Sequence, residues 1–359
     1  SEIEDIYGIK HSIYDIDLIA TKSMFKGYGY YTKFGQTYKD WEYYLENCYK
    51  NGYTWRIVKY NYSIEDEPVY SKNNYQNLQC LDLPFDKFVK LADYSKQWVE
   101  KIINGDKIYT YAFLGLFADN QKPSSPYMKA ILRNPKMVDD PMVKKYLHRL
   151  LKKNITLMKT GKIYNLSSYR LAIPDTIAFL EYISKKEVKG VLQGDEFYSK
   201  SINGVCQGEH AIFRNPHVSS RENVKLKGFN NSLIEKYIGH LENICMFNIN
   251  SPIMQTLNGM DFDGDGVLVV KDDIVCEGID TSQEIVMDID DKITSRKEDI
   301  TKENIIKNTI LSFQSLFSEY TNYATAYKNR VPKNEEQKKL YEDNVDLLSI
   351  CVGKALDAP

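Results

Sequence analysis

Paired cysteines, membrane-length apolar runs and a strong charge of either sign are all missing from this 359-residue chain. Its six cysteines (Cys48, Cys80, Cys206, Cys245, Cys276, Cys351) are scattered without one C-x-x-C pair, so neither a cysteine zinc site nor a disulfide framework is indicated. Reduced thiols of this kind fit a cytoplasmic location. No apolar stretch is long enough to span a bilayer, and the opening SEIEDIYG is acidic where a signal peptide would be basic. No membrane partner is therefore expected. A formal net charge of −2 argues against wholesale wrapping of nucleic acid, although it leaves local basic clefts open. The five histidines (His11, His148, His210, His217, His240) show no metal-ligand spacing, and nothing resembles a Ser-His-Asp or Cys-His arrangement.

What is present belongs to a soluble globular protein: 43% hydrophobic and 27% charged residues, with length for two or three structural units. The 28 tyrosines, alongside many Lys, Asn and Ile, read as an AT-rich coding bias. The chain opens without Met and closes on GKALDAP inside an apparent helix, which predicts a piece of a longer protein.

Along the chain the pattern changes character. Residues 11–70 read as strand-rich and aromatic, with one helical insert, KDWEYYLENCYKNG, closed by Gly52. Residues 75–160 read as helical. There NLQCLDLPFDKFVKLADYSKQWVEKIING carries apolar residues at three-and-four spacing up to Gly105. In DDPMVKKYLHRLLKKN, Asp139 or Asp140 is placed as N-cap and Pro141 in the first turn. Its Lys144, Lys145, Arg149, Lys152 and Lys153 form either a solvated face or a phosphate-facing one. Residues 165–275 turn β-rich, with GVLQGDEFYSK, EHAIFRNPHV and GVLVV as strands; 302–328 and 334–357 read as two amphipathic helices.

The chemistry concentrates in NGMDFDGDGVLVV, residues 258–270, where Asp261, Asp263 and Asp265 run into a β-branched segment. Asp is poor in strands and expensive to bury unpaired. A solvated turn is one reading, since Asp-Gly pairs form turns readily. A calcium loop is another: DFDGDGVLVVKD sets Asp at positions 1, 3 and 5, Gly266 at 6 and Asp272 at 12, close to an EF-hand loop. The flanks lack helical signals, with Pro252 and Gly259 before and a β-branched run after. The third reading is a Mg²⁺ site, in which Gly264 and Gly266 let the carboxylates converge for phosphoryl or nucleotidyl transfer.

DFDGD resembles the metal-binding signature of the two-barrel RNA polymerases, the superfamily of the multisubunit enzymes. That superfamily includes the single-chain RNA-dependent polymerases of RNA silencing and phage-type single-chain polymerases. Neighbouring segments follow the family's order. SSYRLAIPDTIAFLEYI with KKEVKGVLQGDEFYSK is similar to the opening of the second barrel, and AIFRNPHV to its R-x-P strand. LLSICVGKALDAP resembles the helix ending in A-(V/I)-D-x-x-K, stopping just before that Lys, and YQNLQCLDL is a looser version of the L-N-x-Q connector element. ATKSMFKGYGYY is similar to the Lys-Gly element of the first barrel, which is short here at its amino end.

The resemblance implies an α+β protein with a double-psi β-barrel catalytic core, a helical connector and a helical C-terminal region. It divides the chain into a partial first barrel (1–74), the connector (75–164), the second barrel with the metal site (165–275) and the helical region (276–359). Asp261, Asp263 and Asp265 are then catalytic metal ligands for Mg²⁺, with Mn²⁺ as a substitute. Lys26, with Lys22 as a poorer candidate, offsets phosphate charge, and Arg214 reaches ribose hydroxyls. Asn258 stands for a sugar-contacting Asn, one position further from the first Asp than in the family. The implied activity is a nucleotidyltransferase, a DNA- or RNA-directed RNA polymerase of phage or mobile-element type. Its partners would be a nucleic-acid template, the RNA product, ribonucleoside triphosphates and the remainder of a longer chain. Two alternatives stand beside it: a calcium-binding EF-hand-like structural module, and a catalytically incomplete polymerase-derived fragment that binds nucleic acid.

Overall fold

The structure, a computed structural model, describes residues 2–4, 10–12, 50, 69–116, 125–184, 186–201, 204–262, 264–285, 299, 301–313 and 317–357. Strands β1 (Glu2–Glu4) and β2 (Lys10–Ser12) form a separate antiparallel pair. Strand β3 (Tyr70–Lys72) pairs with the amino half of the long β4 (Tyr164–Pro174). Between them lie α1 (Tyr75–Leu78), α2 (Phe85–Ile103), α3 (Lys107–Phe113), α4 (Pro126–Arg133), a 3₁₀ turn at Pro135–Asp139 and α5 (Pro141–Lys159).

Four of these five helices start where the sequence supplies an acceptor for orphaned backbone N–H groups; α2, preceded by Pro84, does not. Asn74, Asp106, Ser125 and Asp140 cap α1, α3, α4 and α5, and Pro141 occupies the first turn of α5. The continuous helical pattern expected from residue 77 to Gly105 is broken in the structure between α1 and α2. Pro84 causes the break: it restricts Leu83 to extended backbone and becomes the N-terminal flank of α2.

After β4 come α6 (Thr176–Ile183), β5 (Glu196–Ser201), β6 (Gly204–Val205), β7 (Gly208–Phe213) and a 3₁₀ turn at Ser220–Glu222. Strand β8 (Val224–Gly228), α7 (Ser232–Tyr237), β9 (Ile244–Phe247), α8 (Ile253–Thr256), β10 (Gly266–Val270) and α9 (Asp273–Glu277) follow. Six of these strands close into a barrel in the order β10-β7-β8-β5-β9-β4, with β4 returning to β10. The β4–β9 and β5–β8 pairs are parallel and the other contacts around the ring antiparallel, an arrangement consistent with a double-psi barrel. The fold is therefore α+β with a closed barrel at its core.

Strand alternation sends neighbouring residues to opposite sides of the barrel wall, and here both sides are buried. Val267 and Val269 of β10, Ile212 of β7, Phe197 of β5 and Phe247 of β9 fill the interior with Leu257 and Met260. Leu268 and Val270, with Ala211 and Phe213, instead meet Leu91 of α2 and Val275 of α9 outside the wall. On another side Tyr198 and Met246 pack with Ile234 of α7. The C-terminal part holds α10 (Lys302–Phe313), α11 (Phe317–Lys328) and α12 (Glu335–Asp357). The run expected as helical over 302–328 is helical in both of its described parts, α10 and α11; residues 314–316 lie outside the described residues. Ala324, Val345 and Val352 cover Val218 on the loop after β7, so α11 and α12 dock on the barrel at that loop.

Candidate functional site

The acidic turn joins α8 to β10 at the barrel rim. Its apolar residues hold it down: Leu257 and Met260 are buried in the barrel interior, and Phe262 packs against the same cluster. Between these anchors the chain reverses through two successive left-handed residues, Asn258 (φ 54°) and Gly259 (φ 68°), and Gly264 also takes a positive φ of 133°. Asp261, beside the buried Met260, is exposed to solvent. At the far end the Asp265 carbonyl accepts a 2.8 Å hydrogen bond from the Ala172 amide of β4. The Asp265 carboxylate folds back, its Oδ2 accepting from the Asp261 amide at 3.2 Å.

Arg214, the first residue beyond β7, lies across this turn. Its Nε is 2.9 Å from Asp265 Oδ2, and its guanidinium also donates to the carbonyls of Asn258 (2.9 Å) and Leu257 (3.3 Å). One planar fork thereby ties a carboxylate and two turn carbonyls together. The structure thus brings together Arg214, Asn258, Asp261 and Asp265 from two segments far apart in sequence. Asn258 presents its Oδ1 to α12, where a methyl group built on Gly353 would sit 2.9 Å away. Its Nδ2 is buried without a hydrogen-bond partner among the described residues.

Asp263, Lys22 and Lys26 lie outside the described residues. Among the described residues, no group of three His, Cys, Asp or Glu side chains is placed to hold a metal ion. The donors that Asp261 and Asp265 bring are carboxylate oxygens, the set preferred by hard cations such as Mg²⁺ and Mn²⁺ over thiolate-seeking Zn²⁺. Chemically the turn fits Mg²⁺.

It does not fit an EF-hand. That motif needs a helix on each side and a ligand at its twelfth position. The loop instead runs directly into strand β10. Asp272, the expected twelfth ligand, caps α9, its Oδ1 accepting from the Ile274 and Val275 amides at 3.0 and 3.2 Å. The calcium alternative is overturned by these flanks: β-branched residues entering a barrel wall cannot also start a helix.

Beside the site lies a buried polar cluster that the sequence did not signal. Glu222, at the end of its 3₁₀ turn, accepts from the Val218 and Ser219 amides (both 3.1 Å) and from Ser349 Oγ of α12 (2.5 Å). Burial pushes its carboxyl up to about 7, against the hydrogen bonds, which favour the charged form. His217 sits 3.7 Å away and is fully buried, and burial depresses its imidazole to about 4. Its Nε2 bonds Asn223 Oδ1 at 2.9 Å, while the Asn223 amide donates to the Cys80 carbonyl at 2.6 Å. At the cluster's edge Asp346 of α12 accepts from Ser219 Oγ (2.6 Å) and Arg221 Nε (2.7 Å). His217 packs edge-on against Phe213 and beside Glu222 in this cluster. Its only local signal was adjacency to Arg214. Glu222 and Gly353 had none, because their partners lie more than a hundred, or nearly a hundred, residues away in the chain.

No family model matches this sequence, and no curated protein does. Among solved structures, the fold is similar to that of the RNA-dependent RNA polymerase QDE-1 from Thielavia terrestris, with a TM-score of 0.50 and 14% sequence identity. The likeness covers 80% of this chain but only 35% of that polymerase chain, so this chain spans about a third of its length. At this identity the shared property is the fold: an α+β architecture around a closed barrel, held in common with an RNA polymerase.

Proposed function

We propose that this chain is the catalytic core of a template-directed RNA polymerase, a nucleotidyltransferase that adds ribonucleotides to an RNA 3′ end. The observation that carries the reading is the Asp261–Asp265 turn at the rim of a closed six-stranded barrel, braced by Arg214. The likeness of fold to an RNA-dependent RNA polymerase supports it, and so does the order of motifs along the sequence.

Mg²⁺ held by Asp261, Asp263 and Asp265, or Mn²⁺ in its place, would supply Lewis-acid activation of the RNA 3′-hydroxyl and neutralisation of phosphate charge. The chain's own residues have simpler tasks. Arg214 fixes the rotamer of Asp265 and the path of the turn, so that the carboxylates are held in place before substrate arrives. Lys26, with Lys22 second, offsets triphosphate charge, while Asn258 and the guanidinium of Arg214 are the groups proposed to meet the nucleotide sugar. No side-chain nucleophile is needed, because the attacking hydroxyl belongs to the RNA. The template, the triphosphates and the rest of a longer cytoplasmic chain are the proposed partners; among the described residues no helix is long and apolar enough to cross a membrane.

Ribonucleotide incorporation on single-stranded DNA and RNA templates with Mg²⁺, run beside Asp263→Ala, tests the reading. Templated product that disappears in the variant while the variant stays folded is the expected result. Equal product from both chains would overturn it. If neither chain makes product, Mg²⁺ and Mn²⁺ titration decides, and equal affinity in wild type and Asp263→Ala would reject the metal turn.

A further inference from the structure

Helix α5 buries one face and leaves the other cationic. Val143 and Leu151 are buried, Leu147 and Leu150 pack with Leu114 and Ile131, and Met158 reaches the cluster beneath the barrel wall. On the outer face Lys144, Lys145, Arg149, Lys152, Lys153 and Lys159 are all exposed, and the helix contains no Asp or Glu. Lys144 is 3.5 Å from Asp139, beyond the amino end; among the described residues no ion pair is found for the other five. At 1.5 Å per residue the row extends about 22 Å.

Helix stability does not account for this row. Lys145 and Arg149, and then Arg149 and Lys153, are like charges one turn apart, each pair costing ~0.2–0.5 kcal/mol where a Glu would have gained as much. The helix dipole rewards only the last-turn Lys159. On a chain whose net charge is only −2, the concentration is local. A lipid surface would require an apolar face free to insert, and that of α5 is inside the protein, with exposed Met142 alone at its start.

We infer that the outer face of α5 is a phosphate-tracking surface, gripping the backbone of a nucleic-acid strand outside the barrel without reading its bases. The identity of that strand as template or product rests on the polymerase reading; the existence of the surface does not. Sequence-independent cation–phosphate contacts of this kind are recognised by salt dependence, since each neutralised phosphate releases counterions.

The test is fluorescence anisotropy of a labelled single-stranded RNA oligonucleotide bound to the full chain across a salt series. The variant carries Lys145→Gln, Arg149→Gln, Lys152→Gln and Lys153→Gln, exposed exchanges between good helix formers whose fold is checked by circular dichroism. The slope of log affinity against log salt should fall by about 3, so that wild type loses about 50-fold more affinity than the variant between 50 and 200 mM salt. A charge-matched control, with Lys302, Lys307, Lys338 and Lys339 changed to Gln, should keep the wild-type slope. An unchanged slope in the α5 variant, an equal fall in the control, or no RNA binding by wild type would overturn the inference. So would loss of binding to anionic phosphatidylserine vesicles with RNA binding intact. If Asp263→Ala fails to affect incorporation while the α5 slope falls as expected, the polymerase reading fails and the surface stands.

Discussion

Arg214 Nε and Asp265 Oδ2 lie 2.9 Å apart, joining the end of β7 to the start of β10, while the same guanidinium holds the Leu257 and Asn258 carbonyls. The pair therefore couples a carboxylate's position to the path of the turn that carries it. Arg214→Lys keeps the charge but loses the planar fork. Incorporation should fall roughly tenfold or more, in step with the misplacement of Asp265. Arg214→Ala should also lower stability, by about 2 kcal/mol, because two carbonyls and a half-buried carboxylate lose their donor. Urea unfolding beside steady-state incorporation separates the two effects. Wild-type activity in Arg214→Ala would contradict the coupling.

Gly353 makes a second coupling, from α12 to the same turn. Gly353→Ala places a methyl 2.9 Å from Asn258 Oδ1, so the Asn258 side chain must move. In the helix itself Ala is favoured over Gly by about 1 kcal/mol. The expected variant is as stable as wild type or more so, yet adds nucleotides more slowly. A variant both stabilised and fully active would show that the orientation of Asn258 does not matter.

The Glu222–His217 pair predicts an unusual pH profile. Folding raises the Glu222 carboxyl from its ordinary 4.5 to about 7, so the folded state holds an extra proton in that window and stability falls as pH rises through it. Folding lowers His217 from 6.5 to about 4, so there the unfolded state holds the extra proton and stability rises with pH. Between about pH 4.5 and 6.5 the two slopes oppose and nearly cancel. Glu222→Gln removes one of them. Relative to wild type, its stability should climb by up to about 1.4 kcal/mol per pH unit over that range, measured by urea denaturation. Parallel pH profiles for the two proteins would refute the opposed titrations.

Asp175 holds the turn into α6 and the returning chain at once. Its Oδ1 accepts from the Ile177 and Ala178 amides, and its Oδ2 from those of Val191 and Leu192, with the side chain wholly buried. Asp175→Ala leaves four buried donors to find other partners, and should cost on the order of 3 kcal/mol. A midpoint of thermal unfolding within about 2 °C of wild type would contradict this.

Local signals carried much of the architecture. Pro141 behind Asp140 marks the start of α5, and the β-branched GVLVV segment marks a strand buried on both faces, because caps and side-chain period act over a few residues. The DFDGD turn was also legible, since its glycines and alternating anchors are local; its apolar partners Leu257 and Met260 fill the barrel from within the same segment. Pro84 was equally visible and still split a helical pattern that periodicity alone made continuous.

Other features existed only once the chain had closed on itself. The ring β10-β7-β8-β5-β9-β4 depends on strand pairings between distant segments, which no local pattern specifies. Arg214 meets Asp265 only because β7 and β10 are neighbours in that ring. Glu222 is driven toward neutrality by burial, although Ser349 of α12 donates to it, and Gly353 faces Asn258 only because the same helix docks there. Residue type and spacing decided which groups were available for chemistry; burial and long-range pairing decided which of them meet, because desolvation and hydrogen-bond geometry are properties of neighbours in space.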